Sequence, residues 1–193
     1  MEIIQKKGPV THTFTLEEER FNFAYKDKTG SGDVDYNYAD LPSKHSIRIE
    51  ENEWLRNVGY LWMILGIGSA IYKYFTQDVL AGSFWAWIGL ACVLYAHYTK
   101  VKYTVLATEK GSIFLIQDKK HDFLLEELKS RRKNQLKSWY GDINPDNEPE
   151  VEINKFKWLY EQGVISKAES EEKITQVELL RTEAYTQSNQ TVN

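Results

Sequence analysis

The side chains able to do chemistry are scattered along this chain. Four histidines, His12, His45, His97 and His121, stand far apart, and no pair has the spacing of metal ligands. No glycine loop that could cradle a phosphate is present, and neither is a G-x-S-x-G elbow or an H-E-x-x-H helix. Asp142, Asn144 and Asp146 imitate the start of a calcium loop. The pattern fails at Asn147, where the turn needs glycine, and at Ile153, where a bidentate glutamate belongs. Asp27, Asp33 and Asp35 surround a glycine-rich stretch and read as hairpin residues. The single cysteine, Cys92, can form no internal disulfide and lies in an apolar run, where it reads as a small packing residue. These observations predict a protein that is not an enzyme, with no catalytic residue, cofactor or metal.

The elements around these residues segregate sharply. Charged residues make up 27% of the chain and the mean hydropathy is −0.52, yet residues 57–98 are almost entirely apolar. Asn57–Phe75 and Val79–Tyr98 each approach the length of a hydrocarbon core. Aromatic residues gather near their ends: Tyr60, Trp62, Tyr72 and Tyr74, then Trp85, Trp87, Tyr95 and Tyr98. Thr76-Gln77-Asp78 joins them, too short for anything but an antiparallel pair. Gly66 and Ala70, and Gly82 and Ala86, have small-xxx-small spacing that lets backbones approach. Lys44, Arg48 and Arg56 precede the first run, and Lys100, Lys102 and Lys110 follow the second. The basic flanks predict a two-pass transmembrane hairpin in a cell inner membrane with both termini cytoplasmic. No signal peptide is visible in the first residues.

Before the hairpin, period-two alternation predicts strands at His12–Leu16, Arg20–Tyr25, Asp33–Leu41 and Ser46–Glu50. Lys26–Asp33 is the glycine-rich linker within this series. After the hairpin come strands at Lys102–Ala107 and Ser112–Gln117, then a helix from Asp122, as its cap, to Tyr140 with Leu125, Leu128, Leu136 and Trp139 as its apolar stripe. Four strands alone make a poor core, so residues 11–56 and 99–140 are expected to fold together. In element order the chain resembles the pleckstrin-homology-like domains of bacterial membrane proteins. The resemblance implies an α+β membrane protein: a small antiparallel β-barrel or sandwich with a closing helix, split by the transmembrane hairpin at residues 57–98.

An acidic linker, residues 141–152, leads to a second resemblance. Residues 153–180 look like the small bacterial helical hairpin called SHOCT. Phe156, Leu159 and Tyr160 form its first face, Gly163 ends the first helix, Ser166 and Glu169 form a capping box, and Ile174 and Val177 continue the second face. The family has an aromatic residue after the capping glutamate, where this chain has Ser170. Residues 181–193 lack an apolar pattern and are expected to be disordered.

Net charge runs −3 over residues 1–56, +5 over 57–141 and −6 over 142–193. The basic middle nominates Lys100, Lys102, Lys129, Arg131, Arg132, Lys133 and Lys137 for contact with membrane lipids. The acidic balance disfavours nucleic acid. Phe156, Leu159, Tyr160, Ile174 and Val177 are nominated for a protein partner or a homo-oligomer, since two short helices are marginal alone. The resulting expectation is a membrane-anchored interaction scaffold or regulatory module. Lipid or small-molecule sensing by the β domain, and an immunity or defence role at the membrane, are the alternatives.

Overall fold

A computed structural model describes residues 1–27, 29–77 and 84–190, with residues 183–190 described as helix only. It is a mixed α+β structure with two antiparallel sheets and five α-helices among the described residues. The first sheet is a meander of β1 (Glu2–Lys7), β2 (Val10–Leu16), β3 (Arg20–Lys26) and β4 (Ser31–Asn37). The second contains β5 (Ser46–Glu50), β6 (Val101–Thr108) and β7 (Gly111–Ile116). Helices α1 (Glu53–Gln77) and α2 (Phe84–Tyr98) lie between β5 and β6 in the chain. Helix α3 (His121–Tyr140) follows β7, and α4 (Pro149–Glu161) and α5 (Lys167–Gln190) complete the chain's order.

One core joins the two sheets. Phe14, Phe21, Phe23 and Tyr36 from the first sheet pack with Leu106, Ile113 and Leu115 from the second, under Leu124, Leu125 and Leu128 of α3. Period-two alternation supplies these positions: Phe21 and Phe23 on β3 are buried while Arg20 faces solvent. Tyr38, in a short 3-10 turn over Tyr38–Asp40, stacks on Phe21 with ring centroids 5.2 Å apart. Its hydroxyl donates to the Glu17 carbonyl at 2.7 Å.

Gln5 on β1 bridges the sheets where backbone pairing stops. Its Nε2 donates to the Ile116 carbonyl at 2.7 Å and to Asp118 Oδ1 at 2.8 Å, and its Oε1 accepts from the Ile116 N–H at 2.9 Å. The side-chain amide thus stands in for a strand along the β7 edge. Sequence patterning did not predict β1, because this polar residue occupies an inward position and leaves Ile3 as the strand's buried apolar side chain.

The hairpin takes the place of a turn between β5 and β6. Glu50 and Val101 are paired neighbours at the ends of β5 and β6, so α1 and α2 occupy the place of a strand connection. Glu51 secures that junction through Arg56 and through Lys100, the latter at 2.9 Å.

The expectation of a transmembrane hairpin is corrected here. Among the described residues, no helix is long and apolar enough to cross a membrane. Helix α1 starts with Glu53 and Arg56 and contains Lys73 in its last turns. Helix α2 is described over 15 residues, about 22 Å at 1.5 Å per residue, against a hydrocarbon core of about 30 Å. The first part of the second expected span, residues 79–83, lies outside the described residues, as do Asp78 and Gly82. The two-pass inner-membrane location with cytoplasmic termini falls with this finding, and so does the classification as a transmembrane fold.

Smaller corrections have local causes. Asp122 does not cap α3; the N-cap is Lys120, and Asp122 Oδ1 instead meets His121 Nδ1 at 2.7 Å. Trp139 is exposed, and Leu124 joins the buried stripe in its place. Strand β5 exposes both Ile47 and Ile49, because it is a sheet edge that the core does not reach. Helix α4 starts at Pro149, inside the expected linker, with proline at its first turn as the missing N–H permits. Helix α5 continues to Gln190 through residues expected to be disordered.

Candidate functional site

The basic residues nominated on α3 do not form one free face. Arg132 is buried: its Nε donates to the Leu41 carbonyl at 2.7 Å and one terminal nitrogen to Gln162 Oε1 at 2.6 Å. Burial lowers its pKa. Arg131 pairs with Glu127 at 2.8 Å, which raises its pKa, and its guanidinium lies over the Tyr38 ring, 5.6 Å from the centroid. Lys137 meets Glu169 at 2.7 Å and Lys100 meets Glu51. Lys102, Lys129 and Lys133 are exposed. The arginines therefore fasten the helix to the 3-10 turn and to the end of α4.

The residues nominated for a partner are placed similarly. Phe156, Leu159 and Val177 are buried together with Leu136, Val164 and Ile165, and Ile174 packs against them. The two C-terminal helices cover each other and the end of α3. Tyr160 stays exposed. Gly163, at φ 69°, reverses the chain: the Val164 N–H reaches the Leu159 carbonyl and the Gly163 N–H reaches that of Tyr160, both at 2.9 Å. Ser166 Oγ accepts from the Glu169 N–H at 3.1 Å, starting α5. Ser170, in the position of the family's aromatic residue, is buried and donates to the Phe156 carbonyl at 3.1 Å.

What remains uncovered is the helical hairpin. Its seam is made of small residues: Gly59, Gly66, Gly89 and Ala96 are buried between the two helices. A Cβ on Gly66 would come within 2.2 Å of the Ala86 nitrogen, and one on Gly89 within 2.4 Å of the Gly59 carbonyl. Such close approach turns the large side chains outward. Leu61, Ile64 and Ile71 on α1, and Trp87, Leu94 and Tyr95 on α2, are all exposed. Trp62 and Trp85 stack across the pair with centroids 4.6 Å apart.

A second feature lies at the open end between the sheets. A cleft of about 390 Å³ is lined by Val10 and His12 of β2, Tyr25 and Asp27 at the end of β3, Glu50 of β5, Tyr103 of β6 and Phe114 of β7. The β1–β2 turn at Gly8, φ 58°, brings Pro9 to its rim. His12 is 5% exposed, and its Nδ1 is buried without a hydrogen-bond partner. Its ring stacks on Tyr103 at 5.8 Å and meets the edge of Phe23 at 5.4 Å. Burial lowers the His12 pKa, against smaller opposing effects from the Phe114 main chain and Asp27. Burial also pushes the Tyr103 hydroxyl up to about 12, helped by Glu50 and Asp27. The Asp27 carboxylate accepts from the Thr29 hydroxyl and N–H, both at 2.6 Å, and from the Gly30 N–H at 3.0 Å, and its pKa is lowered. Along the sequence His12 is one of four scattered histidines. The alternation that faces Phe14 and Leu16 inward also turns His12 inward, and that signal was present.

One arrangement mimics a catalytic relay. Thr104 Oγ1 lies 2.7 Å from His121 Nε2, and His121 Nδ1 lies 2.7 Å from Asp122. Thr104 is 1% exposed and its oxygen also accepts from Gln117 at 3.3 Å, so the hydroxyl is closed to a substrate. Among the described residues, no group of acidic, histidine and cysteine side chains is arranged to hold a metal.

No protein-family model, curated protein or solved structure matches this chain.

Proposed function

We propose that the chain is a non-enzymatic interaction module, an α+β body that displays its helical hairpin for assembly with a second copy of itself. The observation that carries this reading is the hairpin's outward apolar surface. Contiguous apolar exposure of this kind marks an interaction site. From Asn57 to Gln77 the one charged side chain is Lys73, and α2 contains none apart from the titratable His97, so a strongly charged partner finds no complement. A second hairpin supplies matching apolar stripes, and two such pairs close as a four-helix bundle with a shared core. The four-stranded and three-stranded sheets under α3 support the pleckstrin-homology-like resemblance. The α4–Gly163–α5 turn supports the SHOCT-like one. The helical tail braces the body by packing Phe156, Leu159 and Val177 with Leu136 of α3.

Replacing Leu61, Ile64 and Leu94 together with serine tests the assembly. These side chains point away from the seam, so the hairpin itself should persist. The account expects the full chain to sediment as an oligomer and the triple variant as a monomer with an unchanged near-UV spectrum. A wild-type monomer would overturn it.

A second reading is contact with a lipid surface without crossing it. Aromatic residues at the hairpin's ends and exposed Lys102 near its base favour this reading. Flotation of the full chain with anionic vesicles, lost in the same triple variant, would select it over self-association.

A further inference from the structure

A pocket of about 430 Å³ opens where α3 passes the loop after the 3-10 turn and the turn between α4 and α5. Lys129, Arg132 and Lys133 of α3 line it, with the Ser43 and Ser130 hydroxyls and the Gln162–Gly163 turn. Its lining holds three cations and no carboxylate. The three basic positions share one helix face, because residues three and four apart are neighbours there, with Cβ atoms about 5–6 Å apart. A Cβ on Gly163 would meet nothing within 4 Å, so the wall is open at the turn.

The charge in this pocket is not balanced from within. Arg131, Lys137 and Lys100 each meet a carboxylate. Arg132 meets none among the described residues. It is 8% exposed, and its acceptors are the Leu41 carbonyl at 2.7 Å, the Gln162 carbonyl at 3.3 Å and Gln162 Oε1 at 2.6 Å, all of them neutral. These bonds hold the guanidinium in place but leave its charge uncompensated, which is costly in a buried position. Lys129 and Lys133 are exposed and, among the described residues, have no ion-pair partner. Glu169 feels the Lys133 charge, but its carboxylate is held by Lys137 at 2.7 Å.

Two mobile ammonium groups beside a fixed guanidinium suit an anion with more than one charge. A phosphate monoester carries nearly two negative charges and three acceptor oxygens, whereas a carboxylate carries one charge and two oxygens. Lysine binds phosphate as a point charge, and serine hydroxyls can donate to its remaining oxygens. The pocket's volume also admits an organic body on the ester. We propose that this pocket binds a phosphate monoester, its dianion held by Lys129 and Lys133 beside the fixed charge of Arg132. No residue of α1 or α2 lines it, so its failure would leave the assembly reading untouched.

The test is a calorimetric titration of the full chain with phenyl phosphate, with the Arg132 Nε–H resonance as a reporter at the site. Benzoate is the control with a single charge. Phenyl phosphate should bind with a Kd below about 1 mM, shift the Arg132 signal, be displaced by inorganic phosphate and weaken as salt is added. Benzoate should bind at least about tenfold more weakly. Lys129→Gln with Lys133→Gln alters exposed side chains only and should weaken phenyl phosphate about tenfold or more, whereas Lys102→Gln with Lys119→Gln, an equal loss of charge elsewhere, should leave it unchanged. Phosphatidylcholine vesicles with and without phosphatidic acid separate the two sources of such a phosphate. Flotation that depends on phosphatidic acid and is lost in the Lys129/Lys133 variant assigns the phosphate to a lipid headgroup, and phenyl phosphate binding without it assigns a soluble ester. The proposal is overturned if phenyl phosphate fails to saturate by about 10 mM and phosphatidic acid adds nothing to flotation. It is also overturned if benzoate binds as tightly, or if the Lys129/Lys133 variant binds like the wild type.

Discussion

Gln5 offers a quantitative test of how the two sheets are held as one body. Gln5→Leu keeps the side chain's bulk and removes three hydrogen bonds, at 2.7, 2.8 and 2.9 Å. Gln5 is fully buried and Ile116 is 1% exposed, so water cannot replace the lost amide. The variant leaves the Ile116 N–H without this partner, while the Ile116 carbonyl keeps the Asp118 N–H at 2.8 Å. Orphaning a buried N–H costs about 1–3 kcal/mol, so the substitution should cost about 2 kcal/mol, reduced a little by the leucine's apolar transfer. Urea denaturation followed by near-UV circular dichroism reads this directly. With a slope of about 2 kcal/mol per molar urea, a loss of about 2 kcal/mol lowers the midpoint by about 1 M. A loss below about 1 kcal/mol would refute the reasoning, since it would mean that the sheets do not depend on this bridge.

Two further outcomes follow from other contacts. The His12 pKa is lowered from 6.5 by burial, so the unfolded chain binds a proton more readily than the folded one. That contribution to stability is complete above about pH 6.5 and is lost as pH falls through the lowered folded value; His12→Phe should flatten the slope of stability against pH between about 7 and 5, and an unchanged slope would contradict the assignment. Gly66→Leu should splay the hairpin, because the first added carbon alone would meet the Ala86 backbone at 2.2 Å. Overpacking of this kind costs about 1–3 kcal/mol, and the stacked Trp62–Trp85 pair should report it as a change in tryptophan fluorescence, whereas Gly68→Leu, with open space at its Cβ, should leave the emission unchanged.

The parts of this structure that were legible in the sequence are those with a clean local period. Phe21, Phe23, Tyr36, Ile113 and Leu115 announced their strands by alternation, and Gly163 with Ser166 announced the turn between the last helices. Strand β1 was hidden because Gln5 fills an inward position, and only the distant Ile116 explains it. The basic run on α3 looked like a surface feature. Composition carries no sign that Arg132 would be drawn in by the Leu41 carbonyl and Gln162. Ile47 and Ile49 alternate as a buried face would, yet nothing packs over that edge strand. Hydropathy alone makes the apolar runs resemble membrane spans. Charges at the start of α1, Lys73 near its end and the described length of α2 defeat that reading. The cleft was invisible for another reason: its walls come from β2, β3, β5, β6 and β7, which become neighbours only in the folded sheets.

The central claim is that one body, complete without the hairpin, displays the hairpin as its assembly surface. Since Glu50 and Val101 already pair, residues 51–100 can be replaced by an Asn-Gly turn that closes β5 onto β6. Sedimentation of that shortened chain, with near-UV circular dichroism as the check on folding, tests the claim most directly. The account predicts a folded monomer where the full chain is an oligomer. A shortened chain that still assembles, or one that cannot fold, would contradict it.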